Sequence, residues 1–154
     1  MAEVDLSDVA GAVLIDAARE AAGNAHAPYS RFAVGAALLL EDGTIIPGTN
    51  LENASYGLSL CAETVALAAA NTAGRLRDVV AIGVIGGRMT SAGLSGSDPV
   101  RPCGRCRQIL VEAAQLGGRD IVVHCASGDG GAVERHLLSE LLPFAFGPDD
   151  LGMN

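Results

Sequence analysis

Apolar residues recur at helical spacing between residues 7 and 22. Val9, Val13, Leu14 and Ala17 share a face, Ser7 stands as a cap, and Gly23-Asn24 ends the run. The stretch "HAPYSRF" (26–32) breaks the pattern at Pro28 and reads as loop. "AVGAALLL" (33–40) is a buried strand; "EDG" turns it into "TIIPGTN" (44–50), which predicts a hairpin. A polar stretch, 51–59, leads to a second helix over 61–73, stopped at Gly74. "VVAIGVI" (79–85) is continuously apolar, as in a strand covered on both faces. Residues 86–101 are rich in Gly and Ser and read as a long loop. A third helix follows over 104–116, then a strand at 120–125, a turn at "SGDGG", and a short helix over 134–142 with an apolar tail.

The order is helix, hairpin, helix, strand, helix, strand, helix. It predicts an α/β domain of three layers with a mixed sheet, since a hairpin joins strands linked by helical crossovers. Right-handed crossovers bring the starts of the second and third helices to one edge of that sheet. With no repeat and no linker in the 154 residues, the whole chain, 1–154, is expected to be one domain.

Charge narrows the chemistry. The net charge of −8 argues against a nucleic-acid partner, and a small uncharged substrate suits it better. All ten basic residues are arginine, so lysine Schiff-base chemistry and Walker-type phosphate loops are excluded. No apolar run approaches the ~20 residues that span a bilayer. The first ten residues are acidic and lack a signal-peptide pattern, so a cytoplasmic location is expected. There the four cysteines, Cys61, Cys103, Cys106 and Cys125, are expected to stay reduced.

"LCAE" (60–63) and "PCGRC" (102–106) each open a helix. Free N–H groups and the positive dipole end favour thiolates at such positions. Cys103-x-x-Cys106 alone is ambiguous between redox and zinc sites. With Cys61 it makes a three-thiolate set that leaves a tetrahedral position open, the mark of a catalytic zinc. Burying a lone carboxylate at Glu63 would cost several kcal/mol. Beside an open metal position it gains a purpose, as a proton shuttle for the water there. Zinc-dependent nucleobase deaminases are described by this pattern of a first ligand, a nearby glutamate that is not a ligand, and P-C-x-x-C.

Four stretches in order, "PYSRFAVGAAL" (28–38), "GTNLENASYGLSLCAE" (48–63), "PCGRCRQIL" (102–110) and "ELLPFAFGPDDL" (140–151), resemble the small zinc-dependent cytidine deaminases over nearly the whole chain. The resemblance implies a three-layer α/β/α sandwich with a mixed, mostly five-stranded sheet, and hydrolysis of cytidine and deoxycytidine to uridine and deoxyuridine with release of ammonia. It implies one Zn²⁺ per chain on Cys61, Cys103 and Cys106, with Glu63 as proton carrier. Asn50 and Glu52 would clamp the ribose 3′-hydroxyl, Phe32 would pack on the nucleoside, and the Ala62 N–H would meet base O2. In the short, three-cysteine branch it further implies a homotetramer with shared active sites, in which Phe146 stacks on the base held by a neighbouring subunit. The chain departs from many relatives at Thr64, where they carry arginine, and in the length of 86–101. Three thiolates on Zn²⁺ leave a local charge of −1, and Arg105, between two ligands, is expected to offset it.

Other readings remain open from the residues alone. Cys125 is a small buried apolar group or the fourth ligand of a closed structural site. His26, His124 and His136 read as loop or surface residues. Asn50 and Glu52 could organise a turn. Among functions, a deaminase of a modified cytosine nucleoside such as blasticidin S is the alternative; those enzymes also resemble "PCGRCRQ", while "NLENASYG" favours an ordinary ribose.

Overall fold

Strand β1 (Phe32–Leu40) lies inside a sheet ordered β2-β1-β3-β5-β6 in the computed structural model, which describes residues 5–153. β2 is Ile45–Thr49, β3 Val79–Thr90, β5 Val122–Ser127 and β6 Val133–Leu137. A short β4 (Gly93–Ser95) pairs with β3 off that path, giving six strands. β1 runs antiparallel to both β2 and β3, β3 is parallel to β5, and β6 returns antiparallel on β5. The sheet is therefore mixed.

The two sides of the sheet follow from alternation along β1. Ala36, Leu38 and Leu40 point into one core with Ile82, Val84, Val123 and the helices α3 (Ala62–Thr72) and α4 (Gly104–Gly117). Ala37 and Leu39 point into the other with Ala81, Ile85, Val122, Ala126 and α2 (Gly11–Ala22). Three layers result. β2, β3 and β5 share one direction, so α3, leaving the end of β2, and α4, entered from the β3 end, both start at the carboxyl edge. That edge is where open α/β sheets bind ligands. Among the described residues no helix is long and apolar enough to cross a membrane.

Four local expectations are corrected. The first helix is two: α1 (Leu6–Val9) and α2, broken at Ala10-Gly11. Asp5 caps α1, accepting from the backbone N–H and the hydroxyl of Ser7, whose own side chain is buried. Val9 and Val13 are exposed; Leu14 is buried as expected and Ala17 partly so, with Ile15, Ala18 and Ala22 completing the core contact. Next, much of 86–101 is not loop. β3 continues through Thr90 and pairs back on β4, with Arg88 opposite Ser95. Gly86 and Gly87 hide this continuation from hydropathy. A side chain on Gly87 would lie 3.2 Å from the Cα of Gly128, so glycine there allows two backbones to pass closely.

The predicted helix over 134–142 is strand in its first half. Residues 133–137 pair with β5, and only α5 (Leu138–Leu141) is helical, opened by the Glu140 carboxylate accepting from the Leu137 N–H. Leu137, Leu138, Leu141 and Leu142 mimic helical spacing, but charged residues along an edge strand are ordinary. Lastly, His124 lies buried in β5, hydrogen-bonded through Nε2 to the Ser7 carbonyl at 2.8 Å, rather than at the surface.

Candidate active site

Cys61 is the N-cap of α3 and Cys103 the N-cap of α4, both with extended backbone. Cys106 follows in the first turn of α4 and is fully buried. The three Sγ atoms lie within 4.8 Å of one another, and Cys61 and Cys103 are 3.8 Å apart. Zn–S bonds of about 2.3 Å in a tetrahedral array set S···S distances of about 3.8 Å, so this donor set fits zinc. Cys125 is not part of the group. It is buried inside β5, and burial pushes its thiol up to about 12, as for an inert core cysteine.

The thiols differ in environment. Burial raises the Cys61 and Cys106 thiols above their ordinary value. Burial also opposes ionisation of Cys103, but the backbone N–H groups of Cys106 and Arg105 and the neighbouring thiols donate to it, leaving it below its ordinary value. The helix start thus acts through backbone donors. The Arg105 side chain is exposed, and its guanidinium makes no hydrogen bond or ion pair among the described residues.

Glu63 is 4 % exposed, in the first turn of α3. Burial raises its carboxyl pKa, and the Cys106 thiol and its own backbone N–H offset this only in part. Glu63, Cys61 and Cys103 line a cavity of about 310 Å³ together with Asn50 and Glu52. A larger cleft, about 810 Å³, lies at the other end of α4 against Phe144 and Met153, with no thiol or buried carboxylate in its wall. The smaller cavity is the one with chemistry in it.

Asn50 extends the β1–β2 ladder: its Oδ1 accepts from the Val34 N–H and its Nδ2 donates to the Phe32 carbonyl, both at 3.0 Å. Glu52 Oε2 accepts the N–H groups of Tyr29 and Ser30. The Ser30 hydrogen bond leads in holding its carboxyl below the usual range, against desolvation, so it stays ionised. Each side chain is fixed by backbone yet keeps hydrogen-bonding capacity unused. Phe32 is half-buried beside Gly86 and Val100. Ala62, the first residue of α3, has an N–H with no acceptor in its own helix. Phe146 is exposed, its carbonyl held by Gln108 Nε2 at 2.7 Å, and it does not line the cavity of its own chain.

The structure therefore gathers Cys61, Cys103, Cys106, Glu63, Asn50, Glu52 and Ala62 at one place, and neither Phe32 nor Phe146 lines that cavity. Arg101 and Val100 also line the cavity and were not evident from sequence. Arg101 grips Glu134 with two hydrogen bonds, and Glu134 also meets His136. Only the strand character of 133–137 would have revealed that pairing.

A model of the cytidine and deoxycytidylate deaminase zinc-binding region matches residues 11–125, a span that includes all three clustered cysteines and Glu63. The chain belongs to the cytidine deaminase family. It is 46% identical over 139 residues to a cytidine deaminase of Halalkalibacterium halodurans, covering 90% of this chain and 96% of that one. It is 42% identical over 148 residues to a cytidine deaminase of Mycobacterium tuberculosis, covering 95% and 96%. The crystal structure of a cytidine deaminase from Burkholderia pseudomallei superposes with a TM-score of 0.75 at 43% identity, covering 88% of this chain and 98% of that one. The six-stranded arrangement is thus a cytidine deaminase fold.

Proposed function

We infer that this protein is a zinc-dependent hydrolase that converts cytidine and deoxycytidine to uridine and deoxyuridine, consuming water and releasing ammonia. One observation carries the reading: a buried carboxylate beside three clustered thiols lines the same cavity as an anchored amide and carboxylate. Relatives at 42–46% identity that bear the name cytidine deaminase support it.

Cys61, Cys103 and Cys106 would hold one zinc, which when bound supplies Lewis-acid activation of water. Glu63 takes a proton from the water that attacks ring C4 and delivers it to N3; it then carries the proton of the new C4 hydroxyl to the amine, so that the C4–N bond breaks, the C4 carbonyl forms and ammonia leaves. A carboxyl whose burial weakens its acidity is suited to both halves of that exchange. The Ala62 N–H donates to base O2. Asn50 and Glu52 hold the 3′-hydroxyl, the amide donating and the carboxylate accepting. Phe32 packs against the nucleoside, and Arg105 offsets the thiolate charge. The working unit is a homotetramer in which Phe146 of one subunit covers the base in the next.

The test is ammonia release from cytidine, deoxycytidine, blasticidin S and a short single-stranded DNA. Turnover of the two simple nucleosides is expected, with little on the others. Glu63→Gln should retain metal and lose roughly 10²–10⁴-fold or more in kcat. Wild-type turnover in that variant would refute the mechanism.

A further inference from the structure

Resting on that reading of the site, we propose that the Thr64 hydroxyl is a positioning group for the metal centre: it donates to the Cys106 thiolate and so ties that ligand of one helix to the helix that bears Glu63. Thr64 Oγ1 lies 3.4 Å from Cys106 Sγ. Thr64 is on α3 and Cys106 on α4, so this contact joins the two helices that supply the thiols.

The direction of the bond follows from metal binding. A metal-bound cysteine has lost its proton. The hydroxyl then holds the only proton between the two atoms and must be the donor. The need for it is specific to Cys106. Cys103 receives backbone N–H groups from its own helix start, whereas Cys106 is fully buried one turn further in. Thiols aside, Thr64 is the one side-chain donor within hydrogen-bond distance of Cys106 Sγ among the described residues.

A threonine in a helix commonly turns its hydroxyl back on the carbonyl four residues earlier. Thr64 points across to the neighbouring helix instead. This hydroxyl serves one sulfur and adds no charge, so the net charge of the three thiolates is a separate matter from its role.

The experiment compares Thr64→Val, which keeps shape and removes the donor, with Thr64→Ser, which keeps the donor. Each is prepared as the metal-loaded protein, with zinc and separately with cobalt(II). In Thr64→Val, zinc affinity measured by chelator competition should fall about 10–100-fold, the range for losing a partner of a metal ligand. The cobalt–thiolate charge-transfer bands should move to longer wavelength, because an uncompensated thiolate gives up electrons more readily. Thr64→Ser should return both readouts most of the way to wild type. A Thr64→Val protein with wild-type affinity and band positions overturns the proposal. So does a Thr64→Ser protein as impaired as Thr64→Val, which would assign the effect to the lost methyl. If wild-type protein gave no cobalt–thiolate bands at all, the metal-centre reading itself would fail, which is a separate result.

Discussion

Glu63 is held where a charge is costly, and its position has a consequence for stability that is independent of turnover. Its folded-state pKa is raised, chiefly by burial. A group raised in the folded state gives its full support below its unfolded value, and that support is lost as pH rises through the folded value. Near pH 7 the metal-free protein therefore carries a penalty that a neutral side chain would not. Metal-free Glu63→Gln is expected to melt a few degrees above metal-free wild type at pH 7. The gap should close as pH falls below about 4.5, where the carboxyl is protonated folded and unfolded alike. Equal melting curves at both pH values would show that the buried carboxylate costs nothing. At this scale the sequence was readable where function is local. Cys61, Glu63, Cys103 and Cys106 declare themselves by spacing at two helix starts. Thr64 and His124 do not, because each is defined by a partner far along the chain, Cys106 Sγ for one and the Ser7 carbonyl for the other.

Helices dock on this sheet through glycine, and two such contacts separate stability from activity. A methyl on Gly48 of β2 would lie 2.5 Å from the Ala62 carbonyl oxygen and 2.6 Å from the Ala66 nitrogen, both backbone of α3. A methyl on Gly35 of β1 would lie 2.7 Å from the Ala18 carbonyl carbon and 2.9 Å from the Ala22 nitrogen, backbone of α2 on the other face. Backbone cannot step aside as a flexible side chain can. Gly48→Ala and Gly35→Ala should each cost about 1–3 kcal/mol in denaturant unfolding. Only Gly48→Ala should also weaken metal retention and turnover, since α3 carries Cys61 and Glu63 while α2 carries no site residue. Equal loss of activity in both would mean that the sheet transmits the strain. Element boundaries were legible where hydropathy and turns agreed, as for β1, α3 and α4. They failed at 86–95 and 133–137. In the first, glycines that permit close packing look like loop; in the second, an edge strand offers solvent the same charged residues as a helix.

As a whole molecule the chain exposes more large apolar side chains than its own cavity uses. Leu51, Tyr56, Leu58, Phe144, Phe146 and Leu151 are all largely open. The proposed tetramer gives these surfaces a role and makes the active site a joint product. Base–aromatic stacking is worth ~1–3 kcal/mol, so Phe146→Ala should raise KM by roughly 5–150-fold. Mixed with inactive Glu63→Gln chains, it should regain sites with Glu63 from one chain and Phe146 from another. No recovery in demonstrably mixed oligomers would place Phe146 outside catalysis. The three-layer architecture itself was legible, because element order and crossover handedness leave few alternatives. Which surfaces meet was not, since exposure becomes visible only after folding. The thiol cluster also has a global meaning. Cys61 and Cys103 are 42 residues apart and sit on different helices. A metal held between them is a reversible cross-link that closes a long loop, and a linkage of that kind removes freedom from the unfolded chain. The melting point of such a protein is set partly by its surroundings: it follows the free zinc concentration, and the fold itself becomes a reporter of metal supply.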